Sequence, residues 1–163
     1  MTVRSRRHAR IVNDGNSPLT NEWWLPLRPR SARRARAYLR VLADVWRLQD
    51  EVTETAVLIL SELTANACVH ARVPRGRYVR TRCLLFAGRL RIEVADANDS
   101  MPEPRVAGPD DEGGRGLALV AALADDWGTY PRPYGIGKVV WFELKVASSH
   151  PSTEAPFLER SVT

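Results

Sequence analysis

The stretch "SELTANACVH", residues 61–70, decides how the rest of the chain is read. It follows the apolar run Ala56-Val57-Leu58-Ile59-Leu60, so it continues a helix whose buried face is already set. Val52, Ala56, Ile59, Leu63 and Ala67 recur at the helical interval, which predicts a helix over about residues 50–70 with that stripe in the core. Glu62 and Asn66 stand four residues apart at the margin of the stripe. Such a pair shares one helical face, about 6 Å apart along the axis. Taken alone, it reads as an exposed polar edge, because an E-x-x-x-N spacing arises readily by chance.

Composition bounds what surrounds this helix. A chain of 163 residues, 44% hydrophobic and 26% charged, fits one globular domain with a real core. No apolar run approaches the length of about 18 residues that a membrane span requires. The arginines near the N-terminus are not followed by an apolar stretch, so no secretory signal is read and a cytoplasmic location is expected. Cys68 and Cys83 make neither a disulfide framework nor a cysteine-rich metal site and are expected as reduced core residues.

The net charge of +5 is carried by 22 Arg and two Lys, Lys138 and Lys145. Arg28, Arg30, Arg33, Arg34, Arg36 and Arg40 form a block with no acid between them, and Arg4, Arg6, Arg7 and Arg10 form another. Such blocks attract acidic partners or form a solvated face. No aromatic residues interleave with them as base-stacking platforms do, which argues against nucleic acid.

Working outward, residues 1–20 are polar and read as a basic, disordered tail. Residues 23–27 form a short apolar edge strand with Pro26 inside it. Ser31 is the expected N-cap of a first helix, along which Ala35, Leu39, Leu42 and Trp46 recur. Beyond the 61–70 stretch, Pro74-Arg75-Gly76 breaks the chain. Residues 77–86 and 89–95 alternate as a β-hairpin joined by Ala87-Gly88. Residues 97–116 carry three prolines and four glycines and read as a long functional or disordered loop. A short helix over 117–123, a turn region over 125–134 and a last strand over 138–146 complete the domain, expected over 21–146, with 147–163 as a C-terminal tail. The order predicts an α/β sandwich with a largely antiparallel sheet and helices on one face.

Three further features give the Glu62–Asn66 pair a context. Asp96 ends a strand, where an acid can accept hydrogen bonds from a ligand. Gly113-Gly114-Arg115-Gly116-Leu117 leads a glycine-rich loop into a helix, and a helix N-terminus offers unpaired N–H groups to an anion. Gly137-Lys138 runs directly into the last strand.

This order resembles the GHKL (Bergerat-fold) ATPases, which include gyrase-type ATPases, the large heat-shock chaperone, histidine kinases and mismatch-repair proteins. "ELTANA" followed by "CVHA" resembles the family's N box, "VADAN" its first glycine box and "GGRGLALV" its second. Asn98 stands where the family usually has glycine. The short layout and the "GKVVWFEL" ending are most similar to the anti-sigma-factor serine kinase branch, abundant in actinobacteria. The resemblance implies a two-layer α/β sandwich with a mostly antiparallel mixed sheet. It implies ATP and Mg²⁺ as cofactors, with Asn66 supplying an oxygen to the metal. Asp96 would take the adenine amino group, while Gly113, Gly114, Arg115 and Gly116 would form the phosphate end of a lid. Asn98 and Leu117 would complete the ATP site, and Glu62 would act as general base toward an attacking hydroxyl.

The implied activity is transfer of the γ-phosphate to a serine or threonine of an anti-anti-sigma-like protein. The alternative is a nucleotide-gated module that binds a sigma factor or its antagonist with weak or no kinase activity. Expected partners are a sigma factor, an anti-anti-sigma-like protein, or both, with a second copy of the chain as a further candidate. A histidine kinase would need a separate helical domain with a phosphoacceptor histidine. His70 reads instead as a capping or packing residue.

Overall fold

The computed structural model describes residues 17–69, 78–96, 115–132 and 137–147. The elements run β1 (Leu19–Pro26), α1 (Ser31–Trp46), α2 (Asp50–Val69), β2 (Tyr78–Phe86), β3 (Arg89–Asp96), α3 (Arg115–Leu123), β4 (Asp126–Pro131) and β5 (Lys138–Lys145). The strands make one five-stranded sheet in the order β1-β2-β3-β5-β4. All four pairings among the described residues are antiparallel, in keeping with the expected two-layer α/β sandwich.

Alternation along the strands explains the layering. Val79, Thr81 and Cys83 of β2, Leu90, Ile92 and Val94 of β3, and Val140, Phe142 and Leu144 of β5 are all buried. They share the core with Leu39 and Leu42 of α1, Ala56, Ile59, Leu60, Leu63 and Ala67 of α2, and Val120 of α3. The expected α2 stripe is therefore the core stripe, widened by Val57, Leu60 and Thr64. Both cysteines are free, and burial pushes the Cys83 thiol strongly up.

The opposite sheet face exposes Trp24, Tyr78 and Phe86. At its centre Arg91 bonds Glu93 at 2.9 Å and Glu143 at 3.0 Å and lies 3.9 Å over the Trp141 ring. Tyr130 donates to the second oxygen of Glu93 at 3.3 Å. Burial pushes the Tyr130 phenol up, and the Glu93 carboxylate beside it pushes it further.

Local physics corrects four readings. The first strand starts at Leu19, because residues 19–22 pair with Leu85 to Arg82 of β2. Ser31 is not the N-cap: Arg30 holds that position and makes no side-chain cap bond. Ser31 is the first helical residue, its amide bonds Arg28 O, and its hydroxyl donates to the Pro26 carbonyl. The region expected as a turn over 125–134 contains β4, which is held by β5 rather than by its own pattern. Finally, α3 starts at Arg115, so Arg115 and Gly116 belong to a helix and not to a loop.

Other expectations hold. Ala87 and Gly88 both take positive φ, 50° and 69°, as a two-residue hairpin turn requires. β1 and β4 are the sheet edges. Residues 1–16, 70–77 with His70, 97–114, 133–136 and 148–163 lie outside the described residues, and with them most of the expected tails over 1–20 and 147–163 and of the expected loop over 97–116. Among the described residues, no helix is long and apolar enough to cross a membrane.

Candidate functional site

One end of the sandwich holds Asn66, Gly116 and the end of β3 at Asp96. Pro26 is paired with Tyr78, Arg80 with Ala95, Asp96 with Lys138 and Lys138 with Pro131, so these residues mark one end of the sheet. The C-terminal end of α2 lies at that same end, because the Cys68 thiol meets the Arg28 backbone just beyond β1. Burial pushes this thiol up, and the Arg28 backbone hydrogen bond opposes the shift.

α2 delivers Glu62 and Asn66 to this end on one line, both half-buried beside the buried Leu63 and Ala67. Asp50 and Glu51 in the first turn of α2 complement the positive end of the helix dipole. Next to Glu62, Ser61 accepts a 2.7 Å hydrogen bond from Arg36 of α1, which ties the two helices at the level of the carboxylate.

α3 closes on the same spot. A β-carbon built on Gly116 would overlap the amide of Asn66, and the Asn66 Nδ2 end is the nearer one. Only glycine permits this approach, so the first turn of α3 abuts Asn66. The first N–H groups of a helix have no partner within it. Asn66 therefore stands where an anion would meet those groups, with its Oδ1 on the more distant side, 3.7 Å from the built position. Leu117 is half-buried and packs against the core.

Asp96 is the last residue of β3. Asn98, Gly113 and Gly114 lie outside the described residues, as does the side chain of Arg115. The structure thus brings Asn66 and Gly116 together, with Glu62 one turn earlier on α2 and the backbone of Asp96 at the same end of the sheet. It adds Lys138, buried at 9% exposure opposite Asp96. The sequence signal for this lysine was the Gly137-Lys138 step into β5, to which no chemistry had been attached.

No group of three or more His, Cys, Asp and Glu that could hold a metal occurs among the described residues. A resident metal held by protein alone does not fit this donor set. One amide oxygen does fit a Mg²⁺ ion held mainly by phosphates and water.

The site thus sits in a two-layer sandwich whose helix α2 carries E-x-x-x-N against the glycine-led helix α3. Residues 25–144 match the histidine kinase-like ATPase domain, and the chain belongs to that family. Membership implies ATP binding. Among solved structures the fold is similar to that of the RsbU and RsbW domains of Rv1364c from Mycobacterium tuberculosis. The TM-score is 0.61 at 20% identity, and the match covers 78% of this chain and 32% of that one. The chain therefore spans about a third of the length of that structure, and the likeness is one of fold. None of the curated proteins matches the chain in sequence.

Proposed function

We propose that this chain is an ATP-dependent regulatory protein that moves the γ-phosphate to a serine or threonine hydroxyl of a small partner protein. The carrying observation is the close approach of Gly116 to the Asn66 amide, with Glu62 one helical turn before Asn66 on α2. ATP would lie between the α2 C-terminal end and the α3 N-terminus, with its base toward Asp96 and its phosphates toward Gly116. Gly113, Gly114 and Arg115 would close over the phosphates, and Asn98 would underlie the base. Asn66 Oδ1 and the phosphates would hold Mg²⁺, which neutralises phosphate charge when bound.

Glu62, one turn before Asn66, would take the proton from the acceptor hydroxyl. The bond from the γ-phosphorus to the β-phosphate oxygen breaks, a bond to the serine or threonine oxygen forms, and ADP leaves. A positioned base of this kind contributes about 10²–10⁴ in rate.

The partner reading rests on α1. Arg33 and Arg34 are exposed, and so are Tyr38, Val41 and Val45, at 41%, 65% and 62%. Arg36 and Arg40 bond Ser61 and Glu54 of α2, and Arg40 stays exposed while doing so. A basic helix face with an apolar ridge suits an acidic partner such as a sigma factor or an anti-anti-sigma-like protein. The same ridge also favours a second reading, a nucleotide-gated binding module with weak or no transfer.

The test is transfer of labelled phosphate from ATP to an anti-anti-sigma-like protein. Glu62→Gln should keep ATP binding and lose transfer by about 10²-fold or more. Transfer at the wild-type rate in that variant removes Glu62 as base. No transfer by the wild type, with ATP-dependent capture of the partner, selects the binding module.

A further inference from the structure

The outer face of the sheet, on the side away from the helices, divides into two halves. On β3, β5 and β4 the outward side chains satisfy one another. Arg91 bonds Glu93 and Glu143, Tyr130 bonds Glu93, and Arg89 bonds Glu143 at 3.3 Å. Glu93 is only 7% exposed within that cluster. On β1 and β2 the outward side chains are not so occupied. Alternation along β2 turns Tyr78, Arg80, Arg82, Leu84 and Phe86 to this face, while Val79, Thr81 and Cys83 enter the core. Tyr78 and Phe86 are 55% and 53% exposed at the two ends of the row, and Trp24 of β1 adds a third aromatic ring at 55%. Trp24 stands directly opposite Arg80, so it is a diagonal neighbour of Tyr78, about 7–8 Å away. A single exposed aromatic residue is ordinary, but three on one strand pair form a patch.

Arg82, at the centre of the row, says what the patch takes. It stands directly opposite Glu22 on β1 and Glu93 on β3. Both carboxylates are engaged elsewhere: Glu22 pairs with Arg80 at 3.5 Å, and Glu93 accepts from Arg91 and Tyr130. Among the described residues no hydrogen bond or ion pair reaches Arg82, which is exposed. Its planar fork matches a carboxylate through two parallel N–H···O bonds, and that carboxylate has to come from outside.

We propose that the β1–β2 half of this face docks an acidic segment of a partner protein, with a carboxylate on Arg82 and apolar side chains against Trp24, Tyr78 and Phe86. Trp, Tyr and Arg are the residue types that dominate interface energetics. The surface lies across the sandwich from the helices, so it is a second contact, independent of the α1 ridge and of the nucleotide reading. Nucleic acid fits this face less well. Its phosphates would run past Glu22 and Glu143, and the rings sit toward the ends of the row rather than in the succession that stacked bases need. A second copy also fits less well, because a two-fold axis through the middle of the row sets Arg82 against Arg82.

From Tyr78 to Phe86 the row spans about 27 Å. The experiment therefore selects displayed random peptides of about 18 residues, the helix length that covers such a row, on the full chain. Enriched peptides are then titrated by fluorescence anisotropy against wild type, Arg82→Gln, Trp24→Ser and Arg33→Glu, the last on α1. Enriched sequences should carry Asp or Glu between bulky apolar residues. Arg82→Gln and Trp24→Ser should each weaken binding by about tenfold or more, and Arg33→Glu should leave it unchanged. The first two variants remove different kinds of contact, so either one keeps the test if the other fails to fold. The absence of any enriched peptide, enrichment without an acidic pattern, or wild-type affinity in either folded variant overturns the proposal. Tighter binding of a single-stranded thymidine oligonucleotide than of any peptide, lost in Trp24→Ser, overturns it in favour of nucleic acid. A dimer in sedimentation that Arg82→Gln or Trp24→Ser dissolves overturns it in favour of a second copy.

Discussion

Gly116 is the residue on which two physical effects disagree, and the disagreement is measurable. Alanine is favoured over glycine inside a helix by about 1 kcal/mol. At Gly116 the added carbon would overlap the Asn66 amide and displace it. Gly116→Ala is therefore expected to weaken ATP binding by about tenfold or more while costing little stability. Calorimetry and thermal melting together check this, and unchanged ATP affinity would mean that the Asn66–Gly116 approach has no bearing on the ligand. Thr81 gives a second test. Its hydroxyl is fully buried and finds no hydrogen-bond partner among the described residues. Removing such a group avoids a desolvation cost of about 1–3 kcal/mol. Thr81→Val should raise the melting temperature, and a lower one would show that the hydroxyl is satisfied in solution.

The Glu62–Asn66 pair was legible from sequence because helical spacing alone puts both on one line. Lys138 was not, because its burial depends on pairing with a strand some forty residues earlier. Gly116 was legible as part of a phosphate loop but not as a helical residue packed on Asn66, since that contact joins two helices remote in sequence.

At the scale of elements, most helices and strands followed from period and punctuation. The α2 stripe and the Ala87-Gly88 hairpin needed no tertiary information. β4 did. Its sequence, DWGTYP, holds a glycine and a proline and reads as a turn. What makes it a strand is β5. Asp125 accepts from the Lys145 amide at 2.7 Å and donates its own amide to Glu143 O at 2.9 Å. Gly128 lies so close to the Trp141 ring that a β-carbon would meet it at 2.9 Å. Gly128→Val should therefore loosen the β4 edge, read as faster amide exchange in β4 with β2–β3 protection retained. Unchanged exchange would assign the strand to its own propensity.

The outer face makes a pH prediction. The Tyr130 phenol is pushed above its ordinary value by burial and by Glu93. A raised pKa in the folded state contributes stability that is present below the unfolded value, about 10, and is lost as pH rises through the folded value. Alkaline unfolding should thus be milder in Tyr130→Phe than in wild type. An identical alkaline limb in the two proteins would exclude Tyr130 from it.

On the proposed reading, the nucleotide end of the molecule is separate from the face offered to a partner. The ridge of Tyr38, Val41 and Val45 runs along α1 over the edge strand, where Tyr38 meets Trp23 edge-on at 5.9 Å. Val41→Asp should cut partner affinity by about tenfold or more and leave ATP binding unchanged, and raised salt should weaken the partner complex through the exposed arginines. The central claim is that the end of the sandwich at Asn66 holds ATP with Mg²⁺. Its most direct test is calorimetric titration of ATP into wild type and Asn66→Ala, each with and without Mg²⁺. The account predicts saturable binding by the wild type that tightens when Mg²⁺ is added, and at least about tenfold weaker binding by Asn66→Ala with most of the Mg²⁺ dependence gone. Equal affinities in the two proteins, with equal response to Mg²⁺, would contradict it.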